Sequence, residues 1–292
     1  MTVFVVLHYK VYEETKACVT SLLKLNGDKR IIVVDNGSMN DSGKRLADTF
    51  REESQVQVLI NKENAGFARG NNLGYCYAKE KYNPEFIVVM NNDMEIRNTE
   101  FIAGIEKCYR EYAFHIMAPD VYSTKAKKHQ NPDKIGEYDI QTLKKIKKEI
   151  EWKLRFRFLI KLKHLLKPES PGRNIKPEPF DRTVRINVPL HGSFYVFDKR
   201  FINLHEKCFY SKTFMYMESQ ILYHQARREQ MKMVYDPRLQ VLHHEDVATD
   251  SSYSDQYKKA IFTNKCLLSS CKAYLELLEQ EGIYGEKERK NS

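Results

Sequence analysis

Short β-branched runs alternate with helix-patterned stretches through the first third of the chain, and this rhythm constrains the fold more than any other feature. Residues 3–7, 31–34 and 57–60 read as strands, residues 15–25, 42–53 and about 70–81 as helices, and the wholly apolar residues 86–90 as a strand covered on both faces. Repeats of this kind build βαβ units and predict an α/β fold with a mostly parallel sheet. Ligands of such sheets sit beyond the carboxyl ends of the strands.

The segments just past those ends are polar. Residues 31–34 run into Asp35-Asn36-Gly37-Ser38, residues 57–60 into Asn61 and Asn64-Ala65-Gly66-Phe67, and residues 86–90 into Asn91-Asn92-Asp93. Asp, Asn and Gly are the usual turn formers, so any one of these is open to reading as an ordinary turn. Three in succession along one sheet edge point to a binding site. A carboxylate directly after a buried strand, as at Asp93, suits a hard divalent ion whose shell is completed by phosphate oxygens, with Asn92 orienting it or holding a water. The competing reading is a loop-opening Asp that caps the next helix.

The chain has 292 residues, enough for one large α/β domain or one domain with an appendage. Its 48 Lys and Arg against 39 Asp and Glu give a net charge of +9, which suits an anionic partner: nucleic acid, a phospholipid surface or a diphosphate. The six cysteines lack the two-residue spacing of a zinc or thioredoxin site and read as small buried residues of a reducing cytoplasm. The chain opens on a strand pattern without a basic leader, and no run reaches the roughly 18 apolar residues of a membrane span. The expectation is a protein neither secreted nor integral to a membrane.

Residues 123–185 change character. A polar linker around Gln130-Asn131-Pro132 leads to Lys144, Lys145, Lys147 and Lys148 interleaved with Leu143, Ile146 and Ile150, then Trp152, Phe156 and Phe158; residues 160–167 repeat the pattern before breaker-rich residues 168–179. This predicts a basic amphipathic helical insert. Its lysine face either lies in water or meets an anionic membrane surface, with Trp and Phe entering the lipid boundary. No nucleic-acid-binding module accompanies it, so nucleic acid is not an expected partner.

Taken in order, His8-Tyr9, Val33-Val34-Asp35-Asn36-Gly37-Ser38, Asn61 with residues 64–74, Asn91-Asn92-Asp93, His191-Gly192-Ser193, Phe214-Met215-Tyr216-Met217-Glu218 and Val241-Leu242-His243-His244 resemble the family-2 glycosyltransferases. The likeness is greatest to the bacterial rhamnosyltransferase-like branch that builds capsule and O-antigen, and it spans nearly the whole chain except the insert. It implies a GT-A fold, a Rossmann-like mixed, mostly parallel sheet flanked by helices. The implied divisions are a nucleotide-sugar half over residues 1–122, the insert over 123–185, an acceptor and catalytic half over 186–250, and a helical segment over 251–292.

The resemblance also implies roles. Asp35 holds the nucleobase with His8 and Tyr9 packed beside it, while Asn64, Gly66, Arg69 and Asn71 pass under the nucleotide and shape the sugar pocket. A guanidinium at Arg69 has its own rationale, since its fork fits diphosphate or sugar oxygens. The family's metal motif is Asp-x-Asp; here Asn91 takes the first place and Asp93 aligns with the residue that binds Mn2+ or Mg2+. His243 matches a distal histidine ligand at the end of the strand-patterned residues 239–242, with His244 the alternative because neighbours on a strand face opposite ways. Glu218 aligns with the catalytic base of an inverting transfer, although Ser219 replaces the usual second acid; Asp198 and Glu245 are weaker candidates. A Glu at a helix start is also favoured by the macrodipole alone. His191, Gly192 and Ser193 are expected at the donor sugar or acceptor. Arg227 and Arg228 either steady the diphosphate or face solvent.

The implied activity is transfer of a sugar from a UDP- or dTDP-sugar to an acceptor hydroxyl, a lipid-linked saccharide at the inner membrane face, by a cytoplasmic, peripherally attached enzyme. A nucleotidyltransferase would place a Gly-rich, basic loop after the first strand, and a dinucleotide-binding oxidoreductase a Gly-x-Gly-x-x-Gly turn. His8-Tyr9-Lys10-Val11-Tyr12 is neither. An inactive binding module is conceivable from Asn91 and Ser219, against which stand Asp93, Glu218 and His243.

Overall fold

The computed structural model describes residues 1–157, 180–245 and 256–291, the side chains of 283–291 excepted. Its first half is β1 (Thr2–His8), α1 (Tyr12–Leu23), β2 (Lys29–Asp35), α2 (Ser42–Thr49), β3 (Val56–Ile60), α3 (Gly66–Tyr82), β4 (Phe86–Asn91), β5 (Met94–Glu95), α4 (Phe101–Tyr112) and β6 (Ile116–Ser123). The second half is β7 (Lys128–His129), α5 (Ile140–Arg155), β8 (Arg185–Ile186), β9 (Phe194–Asp198), α6 (Lys199–Leu204), α7 (Glu218–Arg228), β10 (Met233–His243) and α8 (Gln256–Asn291).

The strands form one sheet in the order β3-β2-β1-β4-β9-β6-β10-β5, with β7 beside β6 and β8 beside β10. β3, β2, β1 and β4 are mutually parallel, and β6 is parallel to β10. β9 is antiparallel to both β4 and β6, so it begins at the edge where its neighbours end. The fold is the expected mixed α/β class. Alternation along the strands divides the core: Phe4, Val6, Ile31 and Val33 pack on one face with Val19, Leu22 and Ile105, and Val3, Val5, Ile32 and Val34 on the other with Tyr75, Phe201 and Leu222. A smaller cluster joins Leu143 of α5 and Ile221 of α7 to Cys271, Tyr274 and Leu275 of α8.

Three elements differ from the sequence expectation. α3 starts at Gly66 instead of near residue 70, because side chains cap it from outside: Asn36 Oδ1 accepts from the Ala65 amide at 3.0 Å and Asn64 Oδ1 from the Gly66 amide at 2.9 Å. β10 is longer than residues 239–242; it crosses Pro237 through a register shift between Asp236 and Gln240, which absorbs the missing donor. Among the described residues of the expected insert, α5 forms the amphipathic helix, while β7 pairs with β6 and β8 with β10. The second basic stretch, residues 160–167, and Phe158 lie outside the described residues. Among the described residues no helix is long and apolar enough to cross a membrane.

Candidate active site

A cavity of about 750 Å³ opens at the carboxyl edge of the parallel strands. Tyr9, Lys10, Asn64, Asn92 and Asp93 reach it from the loops after β1, β3 and β4. His191, Gly192 and Ser193 arrive with the start of β9, Glu218 with the start of α7, and His243 with the end of β10. The reversed direction of β9 is what brings residues 191–193 to this edge.

Asp93 and His243 are brought together by backbone pairing. β5 runs antiparallel to β10 with Met94 opposite His243, and the His244 amide donates to the Asp93 carbonyl at 2.9 Å. His243 Nε2 lies 3.3 Å from Asp93 Oδ1, both side chains are buried, and Asp93 Oδ1 has no hydrogen-bond partner. His244 points the other way, toward Glu95 and Thr124. Among the described residues no group of three or more His, Cys, Asp or Glu side chains forms a complete metal cage. One carboxylate and one imidazole with an orphaned oxygen between them fit a divalent ion whose other positions are filled by phosphate oxygens and water.

Glu218 is held by an unusual turn. Tyr216 and Met217 both have left-handed backbones, with φ of 75° and 68°, immediately before α7. Gly66 permits this turn to seat: at φ of 82° it lets the Phe67 amide donate to the Phe214 carbonyl at 2.6 Å, where a Cβ would come within 2.3 Å of that oxygen. α8 braces the turn from outside through Ser270 Oγ, which donates to the Met215 carbonyl at 2.9 Å. Glu218 is 6% exposed, its Oε1 has no partner, and burial pushes its carboxyl up to about 7.

Other expected residues are not part of the cavity lining. His8 bonds Thr15 and Ser42 through its two ring nitrogens, tying β1 to α1 and α2, and burial lowers its pKa to about 4. Asp35 accepts from the Ser38 amide and is packed against Gly43, where a Cβ would meet its Oδ2 at 2.0 Å; burial raises its carboxyl. Arg69 is exposed on α3 and donates to the Ala65 carbonyl, and Asn71 is buried and donates to the Phe67 carbonyl. None of these four lines the cavity. Arg227 and Arg228 pair with Glu137 and Glu281, and Asp198 caps α6 while bonding Arg200.

The cavity also contains residues to which sequence reasoning gave no role: Lys10, Gln130, Asp133, and the aromatic wall of Phe214, Tyr216 and Phe262. Gln130 and Asp133 flank the Asn131-Pro132 pair, whose composition is that of a linker; the return of β7 onto β6 is what carries them to the site. The charges are lopsided. Among the described lining residues, Asp93, Asp133, Glu218 and Glu245 face one lysine, Lys10, and no arginine, besides the imidazoles of His191 and His243.

This fold, with its carboxylates at the strand edge, defines the GT-A class of sugar-transferring proteins. The model of the family "Glycosyl transferase family 2" matches residues 3–164, and the chain belongs to that family. It is 25% identical over 117 residues to the low-salt glycan biosynthesis hexosyltransferase Agl10 of Haloferax volcanii, a match that covers 40% of this chain and 35% of that protein. Among solved structures, S. aureus TarS 1-349 in complex with UDP superposes with a TM-score of 0.54 at 11% identity, covering 84% of this chain and 60% of that one. GalNAc-T7 with UDP, GalNAc and Mn2+ gives a TM-score of 0.57 at 12% identity over 88% of this chain and 49% of that one. These likenesses carry the fold.

Proposed function

We propose that this protein transfers a hexose from a nucleoside diphosphate sugar to an acceptor hydroxyl with inversion at the anomeric carbon. The observation that carries the reading is the presence in one cavity of two differently set carboxylates: Glu218, buried with an unpartnered oxygen and pushed up to about 7, and Asp93, paired with His243. Divergent environments separate a proton-transfer group from a charge-stabilising one.

In this reading Glu218 takes the proton of the acceptor hydroxyl while the acceptor oxygen bonds to the anomeric carbon. The bond from that carbon to the diphosphate oxygen breaks, and its electron pair leaves on the diphosphate. Asp93 and His243 would hold a divalent cation, which would supply Lewis-acid stabilisation of that charge. The need for a cation comes from the lining, since one lysine against four carboxylates is a poor host for a diphosphate. Tyr9, Asn64 and Asn92 face the nucleotide end of the cavity, and His191, Gly192 and Ser193 the sugar. Support for UDP as the carrier comes from TarS and GalNAc-T7, whose structures hold it; dTDP is the alternative. The acceptor is a lipid-linked saccharide, and the exposed lysines and Trp152 of α5 suit an anionic membrane surface at the cytoplasmic side.

Calorimetric titration with UDP and dTDP, each with and without Mn2+, tests the reading. Metal-dependent binding of one nucleotide is expected in the wild type and lost in Asp93→Ala. Glu218→Gln should bind that nucleotide normally and lose about 10²- to 10⁴-fold in turnover. Binding of neither nucleotide, or near-normal turnover in Glu218→Gln, would overturn it.

A further inference from the structure

Behind His243 runs a series of hydrogen bonds whose direction is fixed from a backbone donor. The Ala126 amide donates to Ser123 Oγ at 2.8 Å, so the Ser123 hydroxyl hydrogen turns to Glu245 Oε2, 2.6 Å away. The other oxygen of Glu245 accepts from Gln130 Nε2 at 2.5 Å. A carboxylate only accepts, so this end of Gln130 is its nitrogen, and its Oε1 faces His243 Nδ1 at 2.7 Å. Nδ1 therefore carries the ring hydrogen. Nε2 is left with a lone pair directed at Asp93 Oδ1, 3.3 Å away, an oxygen that is itself buried without a hydrogen-bond partner. Two lone-pair atoms facing each other in a buried place call for a positive charge between them.

We propose that Gln130 is the positioning residue of the cation site: by accepting from Nδ1 it holds His243 in the tautomer that offers Nε2 to a metal, and Glu245 sets which way Gln130 faces. Neutral imidazole in water favours the opposite tautomer, which would put an N–H where the cation must sit. The backbone of Gln130 is itself anchored, its amide donating to the Val121 carbonyl at 2.8 Å just past β7. This also gives Glu245 a role other than that of base, since both of its oxygens are occupied from the side of Ser123 and Gln130. Partners of this kind fix ring orientation and ligand basicity in metal sites generally.

The inference rests on the reading of Asp93 and His243 as a cation pair, and two measurements separate the two. Nitrogen-15 spectra of histidine-labelled, metal-free protein report the tautomer of His243 directly. Hydrogen on Nδ1 is expected in the wild type and hydrogen on Nε2 in Gln130→Met; hydrogen on Nε2 in the wild type overturns the proposal whatever the metal does. Mn2+ affinity, read by electron paramagnetic resonance in the presence of UDP, should fall about 10- to 100-fold in Gln130→Met. It should recover in the double variant Gln130→Glu/Glu245→Gln, which reverses the outer hydrogen bond while still accepting from Nδ1. Wild-type affinity in a folded Gln130→Met, or no recovery in the double variant, overturns it. A wild-type protein that binds no Mn2+ removes the cation reading, and the tautomer then decides the role of Gln130 alone.

Discussion

Ionising Glu218 takes a charge out of water with no hydrogen bond at Oε1 to compensate, which is why burial pushes its carboxyl up to about 7 from 4.5. The folded state thus binds this proton more tightly than the unfolded state does. The stability this contributes is complete below about pH 4.5 and is lost as pH rises through about 7, a difference of roughly 3 kcal/mol by linkage. Glu218→Gln, which stays neutral, should gain on the wild type by up to that amount between pH 4.5 and pH 8 in urea unfolding. A difference that does not change with pH would mean the carboxyl is not perturbed. In its proposed role as base Glu218 acts in its ionised form, so turnover should rise with pH through the same range. Some of this was legible from residues alone: Asp93 follows the apolar strand 86–90 across Asn91-Asn92, and Glu218 directly follows the largely apolar residues 214–217. Asp35 and His8 share the sheet edge in sequence, yet Asp35 accepts from Ser38, His8 bonds Thr15 and Ser42, and neither lines the cavity. Nothing local distinguishes a side chain that faces a cavity from one that does not.

Among the elements, the turn before α7 depends on a partner far away in sequence. Gly66 opens α3 and receives the Phe214 carbonyl where any side chain would intrude. Gly66→Ala should therefore move residues 214–217, at a stability cost above about 1 kcal/mol from the left-handed backbone alone, and lower turnover along with it. Thermal melting and single-turnover rates check this; an Ala variant with wild-type melting and rate would show that the close approach is dispensable. The βαβ half was legible because its periodicity is local. The part that was not legible is long-range: residues 128–133 look like linker until β7 pairs with β6, and β10 looks short until the sheet carries it past Pro237. Composition reports what a segment contains, whereas strand pairing decides where it goes.

At the scale of the whole molecule, a chain of net charge +9 encloses a cavity rich in carboxylates. The positive charge lies outside, part of it on the exposed Lys145, Lys148 and Arg155 of α5 beside Trp152, which is 56% exposed. If this face meets anionic lipid, the protein should sediment with phosphatidylglycerol vesicles at low salt and release as ionic strength rises. Lys145→Glu/Lys148→Glu should weaken that association without altering nucleotide binding. No sedimentation at low salt would leave α5 as a solvated brace for α8.

The pairing of β5 with β10 has a consequence for how the chain reaches its native state. Asp93 and His243 lie 150 positions apart in the sequence (243 − 93), and they meet only when the last long strand zips onto the sheet. Closing so long a loop is a late and slow event in folding. A cation that needs both residues would ignore every partly assembled form, so its capture during refolding would mark the moment of completion and trap the finished state by mass action.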